Sequence, residues 1–328
     1  MTPGAVPPSL LMHPIVEVVP NFSEGRDPRF LELVVDAFRF HGASVLDASM
    51  DPDHHRSVVT AIGAPDQVAA GAVAAAALAL ERIDLRRHSG VHPRIGALDV
   101  LPFVPLEGVD QDEAVELARA TGARIAALGV PVFFYGAASR PPGRTLASLR
   151  KGGFEALARG ETGGVADLVG RTRASPEPRH AVAHPTAGAT CIGVRPVLLA
   201  WNVDIVGVSL SNLRRIASEI RERDGGFPGL RALALSLPTQ GRTQISMNLE
   251  DPRRTPPESV FSAIEALVLR HHGEAVDTEV IGMLPDALST PEAAARIRLR
   301  GWGENRVLSK RVAAYREAMA RTRDGRSS

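Results

Sequence analysis

Residues 15–40 read IVEVVPNFSEGRDPRFLELVVDAFRF, and this stretch decides how the fold begins. β-branched residues dominate 15–20, which is typical of a buried strand. Residues 28–40 carry apolar side chains at helical spacing, and Pro28 lies where proline is favoured in a first helical turn. The stretch therefore predicts a strand followed directly by a helix.

The following residues extend this unit. Two β-branched, apolar stretches flank the turn-forming sequence DPDHH (51–55), and an alanine-rich helix then precedes another strand. The predicted strands are 43–49, 55–63 and 96–104, and the helix is 64–82. The resulting order is β-α-β-β-α-β. A helix at 111–128, a strand at 130–135 and a long connection over 137–180 are predicted next.

The second half repeats the same order of elements. Its predicted strands are 196–206, 230–237, 242–249 and 275–284, and its helices are 209–223 and 255–271. This order is that of the split β-α-β, or ferredoxin-like, unit, and its return predicts a structural duplication. We expect an α+β fold, an α/β sandwich, in which two such subdomains face each other across a cleft.

The predicted organisation has four parts. They are a disordered or extended N-terminus (1–14), an N-terminal subdomain (15–183), a C-terminal subdomain (184–290) and a C-terminal helical tail (291–328). The cleft between the two subdomains is where we expect chemistry.

The composition excludes several classes of protein. Lys and Arg number 38 against 37 Asp and Glu, so the net charge of +1 provides no field to gather nucleic acid or an anionic membrane. Cys191 is the only cysteine, which excludes an intrachain disulfide and a thiolate metal cluster and suits the cytoplasm. No signal peptide or membrane span is predicted, and the longest apolar stretch, 67–80, is typical of a buried helix.

The densest polar cluster is HSGVHPRIGALDV, residues 88–100. His88 and His92 are four residues apart, which would place them on one face of a helix as metal ligands. Pro93 instead favours extended backbone, in which four residues span roughly 13 Å, too far for one ion. We therefore expect no metal, and predict that His92 is a fixed imidazole suited to proton transfer near neutral pH.

Other polar residues are weaker candidates. The turn at 51–58 carries His54 and His55, of which strand alternation would allow at most one to face the cleft. Asp47 ends a strand and Asp99 interrupts an apolar one, so each needs a partner if buried. HPTAGAT, 184–190, permits close approach of a flat ligand to the backbone.

Taken in order, the motifs resemble those of the formiminotransferase family. The matching segments are VPNFSEG (19–25), HSGVHPRIGALDVLPFVP (88–105), VPVFFYG (130–136), HPTAGAT (184–190), LLAWNV (198–203), QISMNLED (244–251) and EVIGMLP (279–285). The resemblance implies two facing ferredoxin-like subdomains. It also implies transfer of a formimidoyl group from N-formimidoyl-L-glutamate to N5 of tetrahydrofolate, which acts as co-substrate, with no metal.

The resemblance also assigns residues. The family's catalytic histidine corresponds to His92. Its folate-binding segment corresponds to Arg179, His180, Ala181, Val182, Ala183, His184, Pro185, Thr186, Ala187 and Gly188. We expect Gly188→Val to weaken tetrahydrofolate binding more than folding. Asp47 or Asp99 could support His92, and Arg56, Arg94 or Arg140 could hold the glutamate carboxylates.

Two alternatives remain from the residues alone. A metal-assisted amidine or amide hydrolase could use His54, His88 and His92, and a folate-binding module without catalysis would have the same fold. If the family reading holds, we expect a cytoplasmic homodimer whose product is consumed by a separate cyclodeaminase, because the cyclodeaminase module of the animal enzymes is absent from this sequence.

Overall fold

The computed structural model describes residues 13–140, 143–169 and 183–324. The described chain forms a mixed α+β structure with one seven-stranded and one four-stranded sheet. The coarse fold-class prediction is therefore confirmed. Residues 1–12 of the predicted N-terminal part lie outside the described residues.

The first half builds its sheet in the predicted order. The elements are β1 (Ile15–Val18), β2 (Asn21–Phe22), α1 (Pro28–Phe40), β3 (Ser44–Asp51), β4 (Arg56–Gly63), α2 (Pro65–Arg82) and β5 (Leu98–Glu107). β1 and β2 form an interrupted strand between β4 and β5, β3 pairs with the outer side of β4, and all these pairings are antiparallel. Asp27 caps α1 by accepting a hydrogen bond from the Arg29 amide.

Helices α1 and α2 cover one face of this sheet. They pack closely because α2 presents small residues, and a Cβ at Gly71 would lie 2.5 Å from the Phe38 ring. Val34, Phe38 and Ala72 are fully buried together with Val59 of β4. The opposite face of the sheet is thereby left for contacts with the rest of the chain.

Two further strands, one long helix and two short helices extend the first half. They are α3 (Gln111–Ala126), β6 (Val132–Gly136), α4 (Leu146–Leu149), α5 (Gly153–Ala158) and β7 (Thr190–Val194). β7 lies parallel between β5 and β6. Leu149 and Leu157 pack with Phe133 and Cys191, so the described part of the predicted connection covers a sheet face.

The boundary predicted between residues 183 and 184 is wrong for this sheet. β7, which that boundary assigns to the second subdomain, is hydrogen-bonded between β5 and β6 of the first. A buried five-residue strand has no alternation to identify it, and the preceding HPTAGAT turn was interpreted as the start of a new unit.

The second half forms the four-stranded sheet. Its elements are β8 (Leu199–Val206), α6 (Leu210–Ile220), β9 (Leu230–Leu237), β10 (Arg242–Leu249), α7 (Pro257–Arg270) and β11 (Glu274–Val280). The spatial order β11-β8-β10-β9 is antiparallel throughout and repeats the order of the equivalent strands in the first half. Trp201, Ile245 and Phe261 lie in its core.

The C-terminal tail contains α8 (Pro291–Arg296) and α9 (Leu308–Asp324). Leu308 and Val312 of α9 pack with Met283 against Ile15 and Ile62 of the first sheet. Ile62 follows Ala61, which points to the helix-covered core, so Ile62 lies on the uncovered face of β4. The uncovered face of the first sheet therefore contacts the second half.

Candidate active site

Residues 88–97 form an irregular segment between a short 3-10 turn and β5. His92 and His88 lie in it without sharing a helical face, and their rings pack on different partners. His92 stacks on His54, with ring centroids 5.8 Å apart and planes inclined by 29°. His88 stacks on His55, with centroids 4.3 Å apart. The segment thus supplies one histidine to each of two pairs.

Each ring of the His54–His92 pair has one nitrogen whose proton is fixed. The His92 Nδ1 lies 2.8 Å from the Pro93 carbonyl oxygen, and because a carbonyl only accepts, Nδ1 carries the hydrogen in the neutral ring. His54 Nε2 lies 2.9 Å from Gln244 Oε1. The remaining nitrogens, His92 Nε2 and His54 Nδ1, have no hydrogen-bond partner among the residues that the structure describes.

A buried ionic cluster lies behind His92. Asp99 is fully buried and accepts hydrogen bonds from Arg56 Nη1 at 2.8 Å, from Arg150 Nη2 and from the Ile95 amide at 2.8 Å. The Arg56 guanidinium also donates to Asn21 Oδ1 at 3.1 and 2.8 Å. Asp99 therefore fixes both the cations and the backbone that follows His92.

This cluster controls ionisation at the site. Burial, followed by the charges of Arg56 and Arg150, holds the pKa of His92 well below its usual 6.5. Burial opposes ionisation of Asp99, but Arg150 and Arg56 outweigh it, so the pKa of Asp99 is lowered. Two guanidinium groups face one carboxylate, which leaves one uncompensated positive charge beside a neutral imidazole.

The predicted folate segment is only partly described. Arg179, His180, Ala181 and Val182 lie outside the described residues. Ala183 is partly buried and packs against the cluster of Ile95, Val100 and Phe133. His184 Nδ1 accepts hydrogen bonds from the amides of Thr186 and Ala187 at 3.3 and 3.1 Å.

The described part of this segment is hydrogen-bonded to the chain that follows His92. The Ala97 amide donates to Ala187 O and the Ala189 amide to Ile95 O, each at 2.9 Å. Two motifs about ninety residues apart in the chain thus meet at one place.

Gly188 has a structural reason to be glycine. Its φ is 65°, and a Cβ there would lie 1.9 Å from the Ile95 carbonyl oxygen. Gly188→Val is therefore expected to destabilise the fold more than it weakens tetrahydrofolate binding. This is the opposite of the expectation from the sequence.

The supporting residues predicted from the sequence are not all gathered at His92. Arg56 and Asp99 are, as described above. Arg94 is paired with Glu155 at 2.8 Å, and Arg140 is exposed. Burial raises the pKa of Asp47, against the opposing effects of Arg306 and a hydrogen bond from Gly282. Asp47 thus interacts with the second half rather than with His92.

The sequence assigns no role to Arg150 or Gln244 of the site. Arg150 comes from the aperiodic connection, and Gln244 begins the family-like segment 244–251, in which nothing indicates its contact with His54. The sequence offers His54 only as one of two turn histidines and as a ligand in the metal-hydrolase alternative. The need of buried Asp99 for a cation is the one clue that could have directed attention to a second arginine.

The second histidine pair differs in its hydrogen bonding. His88 Nε2 donates to His55 O at 2.9 Å, and His88 Nδ1 accepts from the Gly90 amide at 3.2 Å. His55 Nε2 lies 3.3 Å from Glu24 Oε1, and its Nδ1 accepts from the Ser89 amide at 3.4 Å. All four nitrogens of this pair are occupied.

Two features are absent from the described residues. Among residues 13–140, 143–169 and 183–324, no group of three or more His, Cys, Asp or Glu is arranged to hold a metal ion. No helix in the same ranges has the length and apolar character that a membrane crossing requires.

Comparison with known families gives two adjoining matches. The model of the formiminotransferase domain, N-terminal subdomain, matches residues 15–195, and that of the formiminotransferase domain matches residues 200–298. The first match ends just after β7, the last strand of the first sheet, and the second begins within β8, the first strand of the second sheet.

Curated relatives cover most of the chain. A glutamate formimidoyltransferase of Thermoplasma acidophilum is 35% identical over 301 residues, which are 91% of this chain and 97% of that protein. One of Streptococcus pyogenes is 35% identical, covering 84% of this chain and 90% of that protein. A formimidoyltransferase-cyclodeaminase of Sus scrofa is 36% identical over 84% of this chain and 51% of that protein.

Proposed function

The chain belongs to the formiminotransferase family, and from this membership and its site we propose that it transfers a formimidoyl group from N-formimidoyl-L-glutamate to N5 of tetrahydrofolate. The observation that carries the proposal is His92, whose Nδ1 is bound to Pro93 O while no described residue bonds its Nε2. A neutral imidazole with a free nitrogen is the group that the reaction needs as a base.

His92 serves as base and then as acid. N5 of tetrahydrofolate attacks the formimidoyl carbon, the π electrons of the C=N bond move to the terminal nitrogen, and the N5 proton passes to His92 Nε2. The electron pair on the terminal nitrogen then re-forms the C=N bond as the bond from carbon to the glutamate nitrogen breaks, and the glutamate nitrogen keeps the electrons of that bond and takes the proton from His92. Such proton transfer contributes about 10²- to 10⁴-fold, and positioning of the two substrates supplies much of the rest.

The Arg56–Arg150 pair is the carboxylate site of this proposal. Among the described residues only one carboxylate, Asp99, balances the two guanidinium groups, so an anion from the donor completes the charge. Arginine is suited to this role because its planar fork matches a carboxylate. Among the three arginines predicted, we favour Arg56 over Arg94, because the charge of Arg56 acts on His92 while Arg94 is paired with the exposed Glu155.

Asp99 is a positioning residue in this scheme. Its oxygens are taken by Arg56, Arg150 and the Ile95 amide, so it acts through them rather than on the substrate. We assign no role in proton transfer to Asp47, since its interactions are with Gly282 and Arg306.

Tetrahydrofolate is proposed to bind along Arg179–Gly188. Support comes from the backbone hydrogen bonds that hold residues 187 and 189 against residues 95 and 97, close to His92 in the chain. We further propose that the two halves are ferredoxin-like units with facing sheets. Their shared strand order and the packing of Ile62 against Met283 support this arrangement.

A product assay tests the proposal. The purified protein is given N-formimidoyl-L-glutamate and tetrahydrofolate, together and separately. We expect L-glutamate and 5-formimidoyltetrahydrofolate in equal amounts, and only when both substrates are present. Release of ammonia or glutamate without tetrahydrofolate would indicate a hydrolase, and binding of tetrahydrofolate without product would indicate a folate-binding module.

A further inference from the structure

The chain of hydrogen bonds from His54 into the second half determines which nitrogen of His54 is protonated. Asp204 is almost fully buried and accepts hydrogen bonds from Arg242 at 2.9 Å and from Arg300 at 3.2 Å. Gln244 Nε2 donates to Asp204 Oδ1 at 2.8 Å, which leaves Gln244 Oε1 to accept. His54 Nε2 must therefore carry the hydrogen that Gln244 Oε1 receives.

His54 Nδ1 is consequently a bare acceptor in the neutral ring. The residue is only 7% exposed, and within the described chain no donor reaches this nitrogen. Within the described chain this acceptor is left for a ligand to bind. Since the His54 ring lies against the His92 ring at 5.8 Å, a donor that satisfies it is expected next to the reacting group.

We propose that His54 is the residue that recognises the amidine of the donor, by accepting a hydrogen bond from its terminal nitrogen. This inference rests on the proposed function and adds the basis of its selectivity. A formimidoyl group ends in an NH or NH₂⁺ donor, whereas the equally small formyl group ends in an oxygen that only accepts. An unprotonated imidazole nitrogen accepts a hydrogen bond from the formimidoyl group and is repelled by the lone pairs of the formyl oxygen.

Gln244 and Asp204 are positioning residues for this recognition. They hold His54 in the tautomer with Nδ1 free, and they do so from the second sheet, while His54 belongs to the first half. Without the Gln244 oxygen, the ring could move its hydrogen to Nδ1 and become a donor, which would suit a formyl oxygen. The two halves must therefore be in contact for the site to distinguish the two groups.

The experiment compares N-formimidoyl-L-glutamate with N-formyl-L-glutamate as donors to tetrahydrofolate. In both reactions the N5 proton ends on the departing glutamate nitrogen, so one assay of released glutamate serves for both. The measured quantity is the ratio of the two kcat/KM values, because a general loss of structure lowers both values and leaves their ratio unchanged.

We expect His54→Phe, which keeps the ring stack and removes the acceptor, to lower the wild-type preference for the formimidoyl donor by about 10- to 100-fold, the usual range for a hydrogen bond to a charged group. Gln244→Met should lower it in the same direction. Gln244→Glu should keep it within about threefold, because an oxygen still accepts from His54 Nε2. Asn248→Ala, at an exposed position on the same strand, is the matched control and should leave the ratio unchanged.

The inference is overturned if the ratio is unchanged in both His54→Phe and Gln244→Met. If His54→Phe fails to fold, the comparison of Gln244→Met with Gln244→Glu decides, and equal ratios in these two variants contradict the inference. A wild-type protein that transfers neither group to tetrahydrofolate would refute the proposed function instead, so the two failures are distinguishable.

Discussion

The molecule contains two stacked histidine pairs, built from the same two segments of chain, and they differ in how their nitrogens are used. In the His55–His88 pair every ring nitrogen has a partner, from Glu24 or from the backbone. In the His54–His92 pair each ring has one occupied nitrogen and one to which no described residue is hydrogen-bonded. Proximity in sequence therefore does not decide how the ring nitrogens of a histidine are used.

From this difference we propose that hydrogen-bond saturation separates a structural histidine from a reactive one. A fully bonded imidazole cannot exchange protons with a substrate without losing a bond, whereas a half-bonded one is oriented and still available. His55 and His88 are therefore expected to affect stability, and His54 and His92 activity.

Replacing one histidine of each pair by alanine is expected to give the largest difference in kcat between the two pairs. His92→Ala is expected to lower kcat by about 10²- to 10⁴-fold with little change in melting temperature, because it removes the base. His88→Ala is expected to lower the melting temperature and to reduce the free energy of unfolding by about 0.5–3 kcal/mol, while kcat changes only a few-fold. Steady-state kinetics and thermal melting measure both.

The two-histidine comparison has a clear contrary outcome. If His92→Ala retains more than a tenth of wild-type kcat, or if His88→Ala loses as much kcat as His92→Ala, saturation is not what separates the pairs.

Asp99→Asn tests the buried ionic cluster, which supports the His54–His92 pair and not the His55–His88 pair. Asparagine cannot balance Arg56 and Arg150, and breaking a buried ion pair costs about 3–5 kcal/mol. Glu155→Gln is the matched control, because it removes a carboxylate from Arg94 at an exposed site, where a pair is worth about 1 kcal/mol or less. Urea unfolding should show a much larger loss for Asp99→Asn; equal losses would mean that the cluster contributes nothing special.

Acid sensitivity of the fold should come partly from the saturated pair. Burial lowers the pKa of His88 to about 4, below the 6.5 of an unfolded histidine, so the unfolded chain binds more protons between these values. The free energy of unfolding should therefore fall as the pH drops from about 6.5 to about 4.

His88→Phe, which retains a ring but cannot be protonated, isolates this contribution. Melting temperatures at pH 7.5 and pH 4.5 should differ less in the variant than in the wild-type protein. The same acid-induced drop in both proteins would exclude His88 as a source.

Much of the fold could be predicted because local signals mark its elements. The helix predicted at 28–40 coincides with α1, and the strands predicted at 230–237 and 242–249 coincide with β9 and β10, since caps and turns delimit them. β7 was missed because a short strand buried on both faces has no periodicity to reveal it.

The candidate site was only partly predictable for a related reason. His92 was identified because Pro93 restricts its backbone and because its motif resembles that of the family. Arg150, Gln244 and the division of roles between His54 and His55 depend on contacts between distant parts of the chain. No local pattern records such contacts, and only the assembled fold shows which nitrogen is left free.

The pH dependence of kcat/KM in the wild-type protein and in Arg150→Met tests most directly that His92 is a base kept neutral by buried cations. Burial, followed by the charges of Arg56 and Arg150, lowers the pKa of His92, so the acid limb of the wild-type profile should lie well below pH 6.5. Removing one charge should move that limb to higher pH, whereas a limb caused by the substrate would not move. A wild-type limb at or above pH 6.5, or one that stays in place in Arg150→Met, would contradict the account.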